Sequence, residues 1–284
     1  MILLDFSNII IGSIMIAHKT STQDAMSEDF IRHLVLNSTR NYRVKYRQKY
    51  GEIVICTDFL SSWRKEQFKY YKANRKKARE KQEKQGGMDW KNLFSVINQI
   101  IKEIDEYFPY KVISVPHAEG DDVIAVLSKN FDENSIIISS DKDFSQLHRF
   151  KYIKQYSPIQ KKMILTPDPY KYLKEHIIRG DKSDGIPNIL SSDDCIVSGI
   201  RQKPISKKKI ALWMEEPDMS HIDPRWKRNQ KLIDFDYIPE AIADAILNEY
   251  NKEKKNNEMP GRFTSYFVKN KLHYLMEHKG DFVL

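Results

Sequence analysis

The sequence predicts an α/β fold: a mostly parallel central sheet flanked by helices, followed by a smaller all-helical C-terminal domain. Three observations carry this. Short apolar runs, often β-branched, recur through the first half of the 284-residue chain. Stretches of helical periodicity separate most of them. Strand signals stop near residue 180. Strands that alternate with helices pair in parallel and are covered on both faces. The expected division is 1–180 for the α/β domain and 181–284 for the helical one.

The elements follow in order. Ile2–Leu4 is a short strand ending in Asp5. The apolar opening as far as Ala17 lacks a basic start and carries Asp5 within it, which argues against a signal peptide. A helix spans roughly 24–50, with Phe30, Ile31, Leu34 and Val35 at helical spacing. Glu52–Thr57 is the second strand and ends in Asp58. A basic segment, 62–85, stops at Gly86-Gly87. Asp89 is a natural N-cap for a helix whose apolar face is Trp90, Leu93, Phe94, Ile97, Ile101 and Ile104. Lys111–Val115 is the third strand. The helix Glu119–Asn130 has an acidic first turn, which the helix dipole favours. Ser135–Ser139 is the fourth strand. Short strands near 152–156 and 161–165 precede a helix near 168–179, with Pro169 in its first turn. Beyond it, 206–216, 226–234, 239–252 and 263–278 read as helices.

Composition narrows the class. At 40% hydrophobic residues the chain can bury a core, which excludes disorder as its main state. No apolar run approaches the roughly 20 residues that cross a bilayer. Two cysteines, Cys56 and Cys195, support neither a disulfide framework nor a cysteine-rich zinc site. The net charge of +8 is unevenly spread. Segment 62–85 carries +7 and segment 199–209 carries +5, leaving −4 on the rest. An acidic body with two basic patches suits a polyanion held at two places.

The acids stand at strand ends. Asp5, Asp58, the Glu119-Gly120-Asp121-Asp122 group and Asp141-Lys142-Asp143 each lie at or shortly beyond one of four predicted strands. The carboxyl ends of parallel strands share one edge, where such sheets bind ligands. So many carboxylates at one edge repel unless they keep protons or bind cations. Oxygen-only ligands suit Mg²⁺ or Mn²⁺. Asp181 and Asp184, at the domain junction, could close the same site. In the basic segment, Lys72 and Arg75 lie three apart on one expected helical face. Tyr71 beside them could offer a ring to an unstacked base. Arg64, Lys69, Lys76 and Arg79 extend the patch. Arg201, Lys203, Lys207, Lys208 and Lys209 form the second, placed as the tip of a helix–turn–helix gripping duplex backbone. The eight histidines show no paired spacing, and none is given a role.

Together these residues make a pattern. LLDFS (3–7), CTD (56–58), SWRKEQFKYYKANRKKARE (62–80), EGDDVIAVL (119–127), IISSDKDFSQLH (137–148), GDKSD (180–184), LIDFDYIP (232–239) and YFVK (266–269) resemble the 5′ nuclease, or flap endonuclease, family. The last two motifs are those of its T-even phage branch. The resemblance implies a PIN-like nuclease domain with a basic helical arch near 62–87. It implies Mg²⁺-dependent 5′-3′ hydrolysis of RNA in RNA·DNA hybrids, of duplex DNA and of 5′ flaps. Two Mg²⁺ ions, replaceable by Mn²⁺, would be held directly or through water by Asp5, Asp58, Glu119, Asp121, Asp122, Asp141, Asp143, Asp181 and Asp184. Lys72 and Arg75 would hold the scissile phosphate. It further implies a monomer that removes lagging-strand primers in the cytoplasm of an infected bacterium, beside the phage single-stranded-DNA-binding protein. The chain starts almost at its first Asp, so sliding-clamp contact through an acidic N-terminal extension is not expected. Ser198–Pro204 replaces the Gly-rich hairpin of cellular members and leaves a K⁺ ion there unassigned. A non-catalytic branched-DNA-binding module would not need the acids. A toxin-type endoribonuclease would not need the helical third of the chain.

Overall fold

A computed structural model describes residues 1–20, 27–84, 87–216, 219, 221, 223–254 and 260–283. Its centre is a six-stranded sheet in the order β3-β2-β1-β4-β5-β6. The strands are β1 (Ile2–Asp5), β2 (Ile53–Cys56), β3 (Lys111–Ile113), β4 (Ser135–Ile138), β5 (Ile153–Ser157) and β6 (Lys162–Ile164). All pairings are parallel except β5 with β6. β1, β2 and β4 are buried along their whole length, which is why their sequences are continuous apolar runs rather than alternating ones.

Alternation still decides which face each residue serves. Ile2, Leu4, Ile53, Ile55, Ile136 and Ile138 point into one core, and Leu3, Val54, Cys56 and Ile137 into the other. The first core is covered by α1 (Phe6–Thr20), α2 (Glu28–Tyr50) and α5 (Trp90–Tyr107). α2 starts where Ser27 accepts a hydrogen bond from Phe30 N, and α5 where Asp89 accepts one from Asn92 N. The second core is covered by α6 (Gly120–Asn130). The apolar opening read only as a strand is thus a strand followed directly by α1. Asp5 marks the junction, its carboxylate accepting from Asn8 N at 3.2 Å.

The basic segment forms α3 (Trp63–Gln67) and α4 (Ala73–Lys84); no residue of α4 is buried. A 3₁₀ helix, Lys142–Arg149, follows β4 and packs on α7 (Pro169–Arg179). Then come α8 (Lys207–Glu215), α9 (Arg225–Ile233), α10 (Glu240–Asn251), α11 (Pro260–Lys269), α12 (His273–Glu277) and α13 (Gly280–Val283). α7, α8 and α9 share a third core with Phe68 and Tyr71. Ile246 of α10 joins the core beneath α6. Phe263, Phe267, Leu275 and Phe282 join the core beneath α2 and α5. α10 therefore closes one face of the sheet, and α11, α12 and α13 the other.

Two expected elements differ. The helix read over 263–278 is broken at Lys271, whose φ of 54° lies in the left-handed region. The segment before α8 is a series of turns, not the first helix of a helix–turn–helix. Asn188 and Ser191 hold it, accepting or donating hydrogen bonds to Gln202, Lys203 and Leu190.

Candidate active site

The parallel strands deliver their acids to one edge. Asp5 ends β1 and pairs in register with Cys56 of β2, two residues before Asp58. Asp121 lies in the first turn of α6. Asp141 precedes the 3₁₀ helix after β4. These four carboxylates feel one another. Burial first, then Asp58 and Asp141, pushes Asp5 up to about 7, although Ser139 Oγ donates to it at 2.6 Å. Burial, then Asp5, Asp141 and Asp58, holds Asp121 well above the ordinary carboxylate range. Backbone amides hold two of them: Gly120 N donates to Asp58 at 2.8 Å, and Asp143 N to Asp141 at 2.9 Å.

A second group adjoins Asp141. Burial raises Asp143 to about 7, with Asp141, Asp181 and Asp184 adding to it and His176 opposing. Asp181 is the opposite case. Despite burial, His176, Ser183 and Lys142 hold it below its ordinary value. Its Oδ1 accepts from Ser183 N at 2.7 Å and from Asp184 N at 3.2 Å. Its Oδ2 accepts from His176 Nε2 at 3.1 Å and faces Lys142 Nζ at 2.9 Å. The turn presenting it is tight. A Cβ on Gly180, at φ 67°, would fall 2.4 Å from Ile186 O, and one on Gly185, at φ 74°, 2.7 Å from Tyr70 O.

Glu119 and Asp122, expected among the metal ligands, both have protein partners. They form a reciprocal cap on α6. Asp122 is fully buried, pairs with Arg64 at 2.7 Å and accepts from Trp63 Nε1 at 3.1 Å. It anchors the base of the basic segment and does not join the acidic cluster. Glu119 meets Lys72 Nζ at 2.5 Å, Arg64 at 3.0 Å and Tyr71 Oη at 2.8 Å. Against burial, Lys72 and Arg64 hold Glu119 down at about 2. Arg64 and Tyr71 are correspondingly unavailable to nucleic acid. Arg64 is 3% exposed, with its remaining contact to Leu232 O, and Tyr71 is 4% exposed, its hydroxyl also reaching Asp184. A buried charge must be matched, so the basic run spends its first arginine inward.

The other basic residues are partly or fully exposed. Lys72, in the left-handed region just before α4, reaches to 3.6 Å from Asp184, and Arg75 pairs with the same carboxylate. Both cations thus border the acidic edge. Lys69 and Lys76 are exposed, and Arg79 lies over the rings of Trp90 and Phe94. Arg201, Lys203, Lys207, Lys208 and Lys209 are all exposed. The first two line a groove of about 540 Å³ with Arg179 and Lys182. The three lysines of the α8 first turn run against the helix dipole.

A family model described as "5'-3' exonuclease, N-terminal resolvase-like domain" matches residues 2–174. The chain belongs to the 5′-3′ exonuclease family. It is a nuclease of that family, and a model described as "T4 RNase H, C terminal" matches its residues 170–282. The Ribonuclease H of Enterobacteria phage T4 is 33% identical, over 99% of this chain and 95% of that one. A 5'-3' exonuclease of Buchnera aphidicola is 30% identical over 55% of this chain and 50% of its own. Among solved structures, the bacteriophage T5 flap endonuclease in a pseudo-enzyme–product complex with DNA and metal ions has a TM-score of 0.60 at 15% identity, covering 88% of this chain and 99% of that one. The T5 5'-exonuclease with bound zinc gives 0.56 at 15% identity, over 88% and 97%. At that identity the shared property is the fold, a resolvase-like α/β domain carrying a helical C-terminal part.

Sequence reasoning gave no role to one residue beside these acids. His176 is buried in the last turn of α7, between Asp143 and Asp181. Those three residues form a group whose ligand atoms all lie within 4.8 Å of one another. The only local signal is a histidine one turn before the Gly180 bend. No helix among the described residues is long and apolar enough to cross a membrane.

Proposed function

We propose that this nuclease hydrolyses phosphodiesters 5′ to 3′ with two divalent cations, Mg²⁺ in the cell and Mn²⁺ as a substitute. The observation that carries the reading is the group Asp5, Asp58, Asp121 and Asp141, in which burial and then neighbouring carboxylate charge raise Asp5 and Asp121. Such a set is costly with no proton or cation, and its oxygen donors fit hard divalent ions. The adjoining group of Asp143, His176 and Asp181 fits a second ion, with Asp184 beside it. Bound there, the ions would neutralise the scissile phosphate and make water a nucleophile at neutral pH.

The protein's own groups do the positioning. Lys72 and Arg75 offer cations to the phosphate where they now meet Asp184. Glu119, ionised at all working pH, holds Lys72 in place. Asp122 and Arg64 fix the foot of the arch. Lys69, Lys76 and Arg79 are placed along the outgoing single strand. Arg201, Lys203 and Lys207–Lys209 grip duplex phosphates, which would also relieve the charge at the start of α8. Residues 1–180, completed by Asp181 and Asp184, then carry the chemistry, and the rest of 181–284 supplies the duplex grip and closes the core.

The likeness to a phage Ribonuclease H supports RNA in RNA·DNA hybrids as a substrate, and the T5 flap endonuclease supports flapped and duplex DNA. That pair supports a role in primer removal on the lagging strand of a replicating phage, in the cytoplasm of its host. A phage single-stranded-DNA-binding protein is the partner suited to it. The test compares wild type with Asp141→Asn/Asp143→Asn on a labelled hybrid in Mg²⁺. Loss of cleavage with duplex binding retained supports the reading, and wild-type rates in the double variant refute it.

A further inference from the structure

His176 is a buried base with one free face. It is 7% exposed, and Tyr172 stacks edge-on against it at 5.8 Å. Its Nε2 lies 3.1 Å from Asp181 Oδ2, a hydrogen bond to that carboxylate. Nδ1 is the other ring nitrogen. It points at Asp143 Oδ1, 3.5 Å away, and neither of these two buried atoms has a hydrogen-bond partner among the described residues.

Two buried polar atoms left without a hydrogen bond are costly. A proton shared between them would draw the atoms to about 2.7–2.9 Å, well short of the observed separation. Two neighbouring ligands on one ion with bonds of about 2.1 Å stand about 3.0–3.5 Å apart. A metal-bound histidine characteristically gives its other N–H to a carboxylate, which fixes the ring and raises its basicity. Asp181 suits that supporting part. Lys142, Ser183 and the Asp184 amide already occupy the oxygen positions that His176 leaves.

We propose that His176 Nδ1 and the Asp143 carboxylate together ligate one of the two divalent ions, with Asp181 holding the imidazole from behind. This rests on the metal-dependent reading above and adds to it a nitrogen donor in an otherwise oxygen-only site. The donor tilts this position toward ions that accept imidazole, Co²⁺ and Mn²⁺, over Mg²⁺. The second position, on Asp5, Asp58, Asp121 and Asp141, keeps oxygen ligands only.

Pulsed EPR of the full-length protein loaded with Mn²⁺ tests this without reference to activity. One of two bound ions shows coupling to a directly bound ¹⁴N. Growing the unaltered protein on ¹⁵N-histidine changes the pattern to that of ¹⁵N, which needs no variant to fold. His176→Gln, its fold checked by circular dichroism, loses the coupling and binds that ion about 10- to 100-fold more weakly. Mg²⁺-dependent cleavage together with two bound Mn²⁺ ions and no histidine coupling overturns this inference alone. Failure to bind any Mn²⁺ overturns it together with the metal-dependent reading.

Discussion

Replacing Asp5 by Asn is expected to stabilise the metal-free protein at alkaline pH. Asp5 is 5% exposed. Burial, with Asp58 and Asp141 beyond the hydrogen bonds from Ser139 and Asn8, raises it from 3.8 to about 7. In the unfolded chain it titrates near 4. Between about 4 and about 7 the folded state therefore holds a proton that the unfolded state has lost, and stability falls as pH rises through that window. The gap corresponds to about 4 kcal/mol at the top of it. The repulsion is spread over Asp121 and Asp141 as well, so removing one charge returns about 1–3 kcal/mol. Asn fits the site: its oxygen keeps the Asn8 amide, and its Nδ2 can donate to Ser139 Oγ, now 2.6 Å away. The assay is thermal unfolding in EDTA at pH 5 and pH 8.5. The variant should melt higher at pH 8.5, with most of the difference gone at pH 5. Saturating Mg²⁺ should reverse the order, because only the wild type keeps the full donor set. A variant that melts at or below wild type at pH 8.5 in EDTA would refute the reasoning.

Three further outcomes follow from the same geometry. Arg64→Met should cost about 3–5 kcal/mol in urea unfolding, because it strands the buried Glu119 and Asp122 charges; a loss below 1 kcal/mol would mean the pairs are dispensable. Arg201→Ala/Lys203→Ala should leave stability within about 0.5 kcal/mol but flatten the salt dependence of duplex binding by up to two phosphate contacts; an unchanged slope would remove this groove from the duplex interface. Since α4 buries none of its residues, proteolysis between Arg75 and Gly87 should slow when a 5′-flapped duplex is bound. Equal cutting with and without DNA would show that the arch does not order on substrate.

Much of this was legible in the chain, for a physical reason. β1, β2 and β4 are buried on both faces, so they had to be short apolar runs. Their parallel pairing then sends Asp5, Asp58 and Asp141 to one edge whatever the details. A cap residue gave one helix start: Asp89 accepts from the backbone as its position suggested. What was not legible depended on tertiary partners. A run of ten cations does not reveal which will turn inward, and Arg64 does so because Asp122 and Glu119 lie beneath it. Tyr71 likewise trades a free ring for the third core and two carboxylates. Asp122 looked like its neighbour Asp121, yet one residue around α6 turns it from the acidic edge to the interior. His176 finds Asp143 only because α7 packs on the 3₁₀ helix.

The most direct test of the account is cleavage itself. The protein would be incubated with a 5′-flapped duplex and with an RNA·DNA hybrid, in Mg²⁺ and in EDTA, and the products sized and their ends identified. Short products bearing 5′ phosphates, formed from both substrates in Mg²⁺ and from neither in EDTA, are the predicted result. Tight binding with no cleavage in Mg²⁺ or Mn²⁺, or cleavage undiminished in EDTA, would contradict it.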